Sequence, residues 1–279
     1  MGPEACADSF ASEGDAMTEE TDPPQPAVRS ERRGAVLLVR IDRPEVRNAI
    51  SPAVSTECAA QFDAFAADPS LRVAILTGTG GQAFCAGSDL RPQPTKVPRP
   101  ATGFGGLTER FDLDKPIIAA VNGVALGGGF ELALACDIII AAAGASFGLP
   151  EPRIGLAPLA GGPHRLARAI GDKRALALLL SGRTVDAQQA QVLGFVHEVV
   201  PDDKLMDTAW RLAEDIAALS PAAVRACKQL VARGLAEPSV EAAMRAQADY
   251  PAVKAMFASG DAREGVRAFR EKRAPEWRS

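Results

Sequence analysis

Hydrophobic positions in the first 160 residues fall into short blocks separated by glycine, proline and polar residues. "GAVLLVRID" (34–42) is an apolar run of strand length, which predicts a buried strand. "SPAVSTECAAQFDAF" (51–65) predicts a helix, with Ser51 at the cap and Pro52 in the first turn. "RVAILTG" (72–78) and "KPIIAAVNG" (115–123) predict two more strands that end at glycine. After the latter, the triglycine Gly127–Gly129 leads into a helix through "FELALAC". Repeated strand–turn–helix units of this spacing predict a layered α/β fold.

Beyond about residue 160 the pattern becomes amphipathic and helical. "GGPHRLARAIG", "DKRALALLLSG", "DAQQAQVLG", "DDKLMDTAWRLAEDIAALS", "PAAVRACKQLVARGL" and "SVEAAMRAQADYPAVKAMFAS" each read as a helix with a cap or a glycine stop. One short strand, "FVHEVV", interrupts them. The expected organisation is an acidic disordered leader over 1–28, an α/β core over 29–205 and a helical region over 206–279. The leader carries seven acids and no Lys or Arg, which is unlike a secretory signal. Met17 opens a second plausible start within it.

Composition narrows the partners. A net charge of −4 without a dense Lys/Arg run argues against nucleic acid or an anionic membrane. The longest apolar stretch, 115–145, is interrupted by Asn122, Glu131 and Asp137, which argues against a membrane span. Five scattered cysteines and two histidines suggest neither a disulfide framework nor a metal site. His164 and His197 read as structural, and Cys85 and Cys136 as inert in apolar settings. A soluble cytoplasmic protein with reduced thiols is expected.

The chemistry concentrates at the glycines. A glycine turn that opens a helix presents unpaired N–H groups and the positive end of the helix dipole. No Gly-Lys-Ser/Thr follows, and G-x-G-x-x-G spacing is absent at the triglycine, so phosphate and dinucleotide fingerprints fail. Such N–H groups can instead stabilise an oxyanion. A second glycine turn, "GGQAFCAGSDL" (80–90), could supply a partner. Glu131, in the first turn of its helix, is expected to favour the ionised form. Glu151, between Pro150 and Pro152 among apolar neighbours, is expected to have a raised pKa. Two carboxyls in unlike settings suit a base and an acid, although a helix-start charge and a loop charge would look the same.

"RPEVRNAIS", "FCAGSDL", "KPIIAAVNGVALGGGFELALACDIIIA", "FGLPEPRIGLAPLAGGPHRL", "LSGRTVDAQQAQVLGFVHEVV" and "DAREGVRAFREKRAPEWRS" together resemble the crotonase (enoyl-CoA hydratase/isomerase) superfamily, from about Arg29 to the end. The central motif and the ending are most similar to its carnitinyl-CoA dehydratase-like branch. The resemblance implies a crotonase-like spiral of ββα units with a C-terminal helical trimerisation region, assembled as a homotrimer or homohexamer. It implies a hydro-lyase of the enoyl-CoA hydratase type in fatty-acid or related acyl-CoA metabolism, needing no metal or cofactor beyond the coenzyme A of its substrate. By motif position, Ser88 and Gly128 would donate backbone N–H groups to the thioester oxygen, and Glu131 and Glu151 would be catalytic. Arg47, Ala49, Ala86, Ser88, Asp89, Leu90, Arg91 and Gly128 would contact the acyl-CoA.

Alternative readings are a carnitinyl-CoA dehydratase-like enzyme, a double-bond isomerase, and a non-catalytic CoA- or RNA-binding homologue. One departure stands out. Where many relatives place glycine-rich sequence after the second glutamate, this chain has Pro158, Leu159, Ala160, and Leu159 could crowd the water or the acyl group. The proline-rich segment 91–106 reads as a solvated loop or as a wall whose Arg91, Lys96 and Arg99 meet CoA phosphates. Arg43 and Arg47 are similar candidates.

Overall fold

The computed structural model describes residues 26–92 and 98–279. The acidic leader to residue 25, Met17 and Lys96 therefore lie outside the described residues. The chain opens with an antiparallel pair, β1 (Val28–Arg33) and β2 (Val36–Ile41). It continues through α1 (Pro52–Ala67), β3 (Val73–Gly78), β4 (Ala83–Cys85), β5 (Ile117–Val121), β6 (Val124–Leu126) and α2 (Gly128–Ala135). Then come β7 (Ile138–Ala142), β8 (Ser146–Gly148), α3 (Gly162–Ile170), α4 (Asp172–Ser181), β9 (Thr184–Asp186), α5 (Ala187–Leu193) and β10 (Glu198–Val200). Five helices close the chain: α6 (Leu205–Ala217), α7 (Pro221–Gly234), α8 (Val240–Ala246), α9 (Pro251–Ser259) and α10 (Asp261–Glu271).

Two sheets result. The larger has the order β1-β2-β3-β5-β7-β10 and is parallel except at β1. The smaller has the order β4-β6-β8-β9, with β9 antiparallel. Successive chain turns place one strand in the large sheet and a short one in the small sheet, as a ββα spiral does.

The register explains why the strands read as unbroken apolar runs. Val39, Leu76, Ala119 and Ile139 align across the large sheet and face the main core. Their neighbours Leu38, Ile75, Ile118 and Ile138 also align, on the opposite face. α6 covers that face with Leu205, Ala209, Trp210 and Ala213. A parallel sheet buried on both sides has no polar face to advertise.

The sequence expectations are met in outline and corrected in detail. Ser51 caps α1 by accepting the Val54 N–H at 3.3 Å, and Pro52 begins the helix. The strand expected at 34–42 starts at Val36, and β1 was missed. Its residues after Val28 are exposed, so it lacks the apolar pattern of an internal strand. β4 falls within the segment expected as a glycine turn, and β6 and β8 were not predicted as strands, because each has only three residues beside glycine. The helix expected over 239–259 is broken, since Pro251 pushes Tyr250 into an extended conformation (φ −65°, ψ 131°).

The C-terminal helices are tied down by one buried carboxylate. Asp261 Oδ2 accepts from Ser220 Oγ at 2.7 Å and from Ser279 Oγ, while Oδ1 accepts the Arg278 N–H at 3.4 Å. Ser220 in turn caps α7 through the Ala223 N–H. Burial opposes ionisation of Asp261, but the donors from Ser279, Ser220 and Arg278 outweigh it and hold its pKa below the usual range. Asp261→Ala is expected to cost about 3 kcal/mol, measured by urea unfolding at neutral pH. A depressed folded pKa gives stability that is present above the unfolded value, about 3.9, and lost as pH falls below it. The gap between wild type and variant should therefore narrow below about pH 4. A gap constant with pH would show that the charge contributes nothing.

Candidate active site

Glycine packing brings two turns together. Gly87 (φ +98°) lies so close to the triglycine turn that a Cβ there would sit 2.9 Å from Leu126 O and 3.5 Å from Gly128 N. A Cβ on Gly129 would fall 2.0 Å from the Cys85 carbonyl oxygen. Only bare backbone fits between β4 and the start of α2. Gly128 is the first helical residue, so its N–H has no intrahelical acceptor. Among the described residues no acceptor takes the Ser88 N–H either. The Ser88 and Gly128 amides thus stand on the two turns that the glycines join.

The other expected contact residues line the Ser88 side. Segments 47–50 and 86–91 are zipped by the Ile50–Ser88 bridge, with Ile50 N to Gly87 O and Asp89 N to Ile50 O both at 2.9 Å. Ala86 N donates to Arg47 O at 3.0 Å. Arg47 and Asn48 both adopt positive φ, 54° and 57°. Buried Asn48 sustains that turn: it accepts the Arg43 N–H and donates to Thr79 O and Ala83 O. Arg47 and Leu90 are exposed, and Ala49 is buried with its carbonyl on Arg43 Nη1 at 2.6 Å. Asp89 lies between Arg91 (2.7 Å) and Arg43 (3.0 Å), which hold its pKa far below the carboxylate range.

Both glutamates sit against glycine. Glu131 is 3 % exposed, and its Oε1 accepts the N–H groups of Ala160 and Gly162, each at 2.8 Å. A Cβ on Gly162 would lie 2.7 Å from Glu131 Cγ, so this turn closes on the carboxyl only because 162 is glycine. Among the described residues no donor takes the second oxygen, Oε2. Glu151 begins a 3-10 turn (Glu151–Ile154) and approaches Gly127, where a Cβ would sit 3.0 Å from its Oε1. Its Oε2 is buried without a hydrogen-bond partner among the described residues.

The electrostatics correct one expectation. Glu131 is not tuned toward ionisation by its helix start: burial raises its pKa, only partly offset by the Gly162 and Ala160 amides and by Arg165 and Arg99. Glu151 is raised too, as expected, by burial and further by the charge on Glu131. The two carboxyls differ in their donors. One is held by two amides, while the other has a bare buried oxygen that a proton would satisfy.

Other residues fall as follows. Leu159 is 85 % exposed, and the amides flanking it in space, at 160 and 162, are the ones holding Glu131. Arg99, read either as part of a solvated loop or as a cation toward phosphate, is exposed, and its charge acts weakly to favour ionisation of Glu131. Cys85 and Cys136 are buried, with thiol pKa values raised by burial, to about 12 for Cys85. His164 and His197 are exposed. Among the described residues no group of His, Cys, Asp or Glu could hold a metal ion, and no helix is long and apolar enough to cross a membrane. Sequence reasoning missed Arg165, which is half-buried beneath the 160–162 turn. No local motif marks it, because its partners are backbone carbonyls supplied by folding.

Comparison with known proteins shows the family of the chain. The family described as enoyl-CoA hydratase/isomerase matches residues 31–279. The chain belongs to that family. A carnitinyl-CoA dehydratase from Proteus mirabilis is 45 % identical over 255 residues, covering 88 % of this chain and 96 % of that protein. An enoyl-CoA hydratase from Mycobacterium marinum superposes with a TM-score of 0.85 at 40 % identity, over 91 % of this chain and 99 % of the other. A carnitinyl-CoA hydratase from Mycobacterium avium superposes with a TM-score of 0.72 at 41 % identity, over 91 % and 99 % of the two chains. The family resemblance and the crotonase-type fold read from the sequence are both borne out.

Proposed function

We propose that this protein is a hydro-lyase that reversibly adds water to a trans-2-enoyl-CoA thioester. The observation that carries the reading is the meeting of two unpaired backbone amides and two glycine-packed carboxyls at one pair of turns. The thioester oxygen is placed between Ser88 N–H and Gly128 N–H, where enolate charge develops during addition. Each such donor can lower the barrier by about 3 kcal/mol. Glu131, anchored through Oε1, uses its other oxygen to take a proton from water as the water oxygen bonds to the β-carbon. Glu151 delivers its proton to the α-carbon, and dehydration runs the same steps backward.

Coenzyme A belongs to the substrate in this scheme, and no further cofactor takes part. Arg47, Ala49, Ala86, Asp89, Leu90 and Arg91 are assigned to the entrance that receives the CoA portion. Arg47→Glu is expected to weaken binding of coenzyme A about tenfold by calorimetry, with a smaller effect at high salt. Affinity unchanged at low salt would remove Arg47 from the site. We also assign residues 29–205 to the catalytic core and 206–279 to oligomerisation, as a homotrimer or homohexamer. Leu235, Val240, Met244, Phe257 and Phe269 leave an exposed apolar surface on that region, which a second copy would cover. A cytoplasmic location is part of the same reading.

A second reading keeps the chemistry and changes the acyl group. Identity of 45 % with a carnitinyl-CoA dehydratase favours crotonobetainyl-CoA over a simple straight chain. The deciding assay follows loss of enoyl-thioester absorbance with crotonyl-CoA and, separately, with crotonobetainyl-CoA. Rapid loss with crotonyl-CoA supports a general hydratase, and loss with crotonobetainyl-CoA alone supports the second reading. If both CoA esters bind and neither turns over, the hydro-lyase reading fails for these acyl groups.

A further inference from the structure

Arg165 joins the two halves of the site through backbone. Its Nη1 donates to Ala160 O at 3.2 Å, and the N–H of that same Ala160 holds Glu131. Its Nη2 donates to Thr108 O at 2.7 Å. Thr108 Oγ1 accepts the Phe104 N–H at 2.9 Å, and the Phe104 ring packs where a Cβ on Gly128 would fall, 2.7 Å away. A continuous circuit therefore runs from Glu131 through the guanidinium to the wall behind the Gly128 amide. Gly161 (φ +92°) is part of the fit, because a Cβ there would lie 2.3 Å from Nη1.

The charge of Arg165 is also unusual in its surroundings. The side chain is half-buried, yet among the described residues no carboxylate lies within ion-pair distance of it. A desolvated cation with no carboxylate partner is costly unless its hydrogen bonds are met, and here the two carbonyls meet them in part. The exposed Phe111 ring, 5.8 Å from the guanidinium carbon, offers a partial partner. Burial works against the charge on Arg165; Cys136 is the first group set against that burial but is a buried neutral thiol, and Glu131 follows it. We propose that Arg165 is the positioning residue of this site: it pins the turn that grips Glu131 and fixes a cation behind that turn. The proposal rests on the reading of Glu131 as the base.

Other charged groups around Glu131 must be set against it. Arg99 faces it from the 98–103 loop, and Glu151 opposes ionisation from the 3-10 turn. Arg168, one helical turn on from Arg165 in α3, lowers the affinity of Arg165 for its own proton, and Cys136, in α2's own C-terminal cap, is a neutral buried thiol. Cys85 from β4 is likewise neutral and buried. Of the cations named, Arg165 is the one fixed by two backbone carbonyls.

The test is a titration of the Glu131 carboxyl by carbon NMR on the full chain labelled at glutamate, with the signal assigned by its loss in Glu131→Gln. In Arg165→Gln the midpoint should move to higher pH, and kcat/KM for the working substrate should fall about tenfold at neutral pH, recovering as pH rises. A merely structural loss would not recover with pH. Arg165→Lys should leave the midpoint near its wild-type position. An unmoved midpoint in folded Arg165→Gln overturns the proposal. Should that variant not fold, the same titration is read in Arg165→Met, and an unmoved midpoint there overturns the proposal. The titration needs no substrate, so inertness of the wild type toward both enoyl thioesters would count against the hydro-lyase reading and leave Arg165 to be decided by the midpoint.

Discussion

Glu151→Gln is expected to lower kcat about 1000-fold while changing the dissociation constant of a bound acyl-CoA by no more than about twofold. The amide matches the protonated carboxyl in shape, and burial together with Glu131 already favours the proton on Glu151. The fold therefore loses little, but the α-carbon loses its proton donor. Glu131→Gln should lower turnover to a similar degree, because an amide oxygen can still accept the Ala160 and Gly162 N–H groups but cannot take a proton from water. The pH profiles separate the two roles. Activity in the hydration direction should fall at acid pH as Glu131 gains a proton and at alkaline pH as Glu151 loses one. The Glu151→Gln variant should keep its residual rate without the alkaline limb. Turnover unchanged in both variants would remove the carboxyl pair from the mechanism.

The second large effect is structural. Gly129→Ala places a methyl group 2.0 Å from the Cys85 carbonyl oxygen, which belongs to backbone and cannot swing aside. Either β4 or the start of α2 must move; the first leads into the turn of Ser88 and the second carries Gly128. A loss of about 3 kcal/mol is expected, at the upper end for overpacking, and a melting temperature lower by several degrees. Activity should fall further than stability does. Gly162→Ala is the informative contrast, because the nearest atoms to its methyl, 2.7–3.3 Å away, belong to the Glu131 side chain. It should unfold less readily than Gly129→Ala and lose turnover through displacement of Glu131. Calorimetry beside steady-state kinetics tests both. Gly129→Ala with wild-type melting and turnover would show that the turns are not rigidly joined.

What the sequence disclosed follows from which signals are local. The Ser51–Pro52 helix start is written in adjacent residues and was legible to the residue. The central strands were legible because burial on both faces leaves unbroken apolar runs. β1 was not, since an edge strand whose residues 29–33 are exposed carries no such run. The small sheet was hidden for a different reason: its three-residue strands end in the same glycines that mark the turns. At the site, both glutamates could be named from motif and spacing. The protonation tendency of Glu131 could not, because a helix start is visible in sequence and the depth of burial is not. Arg165 lay deeper still, as its role depends on two carbonyls brought to it from residues 108 and 160.

The glycine contacts between β4 and α2 also bear on how this site can change over generations. Both proposed donors to the thioester oxygen are main-chain amides, so no exchange of side chain other than to proline deletes them. The residues that seat them are glycines with backbone in the space a methyl would need. Drift can reach Leu159, Arg99 and Phe111, which are exposed. Descendants of this chain would therefore inherit the grip on a thioester nearly intact, and would diverge first in which acyl groups they admit.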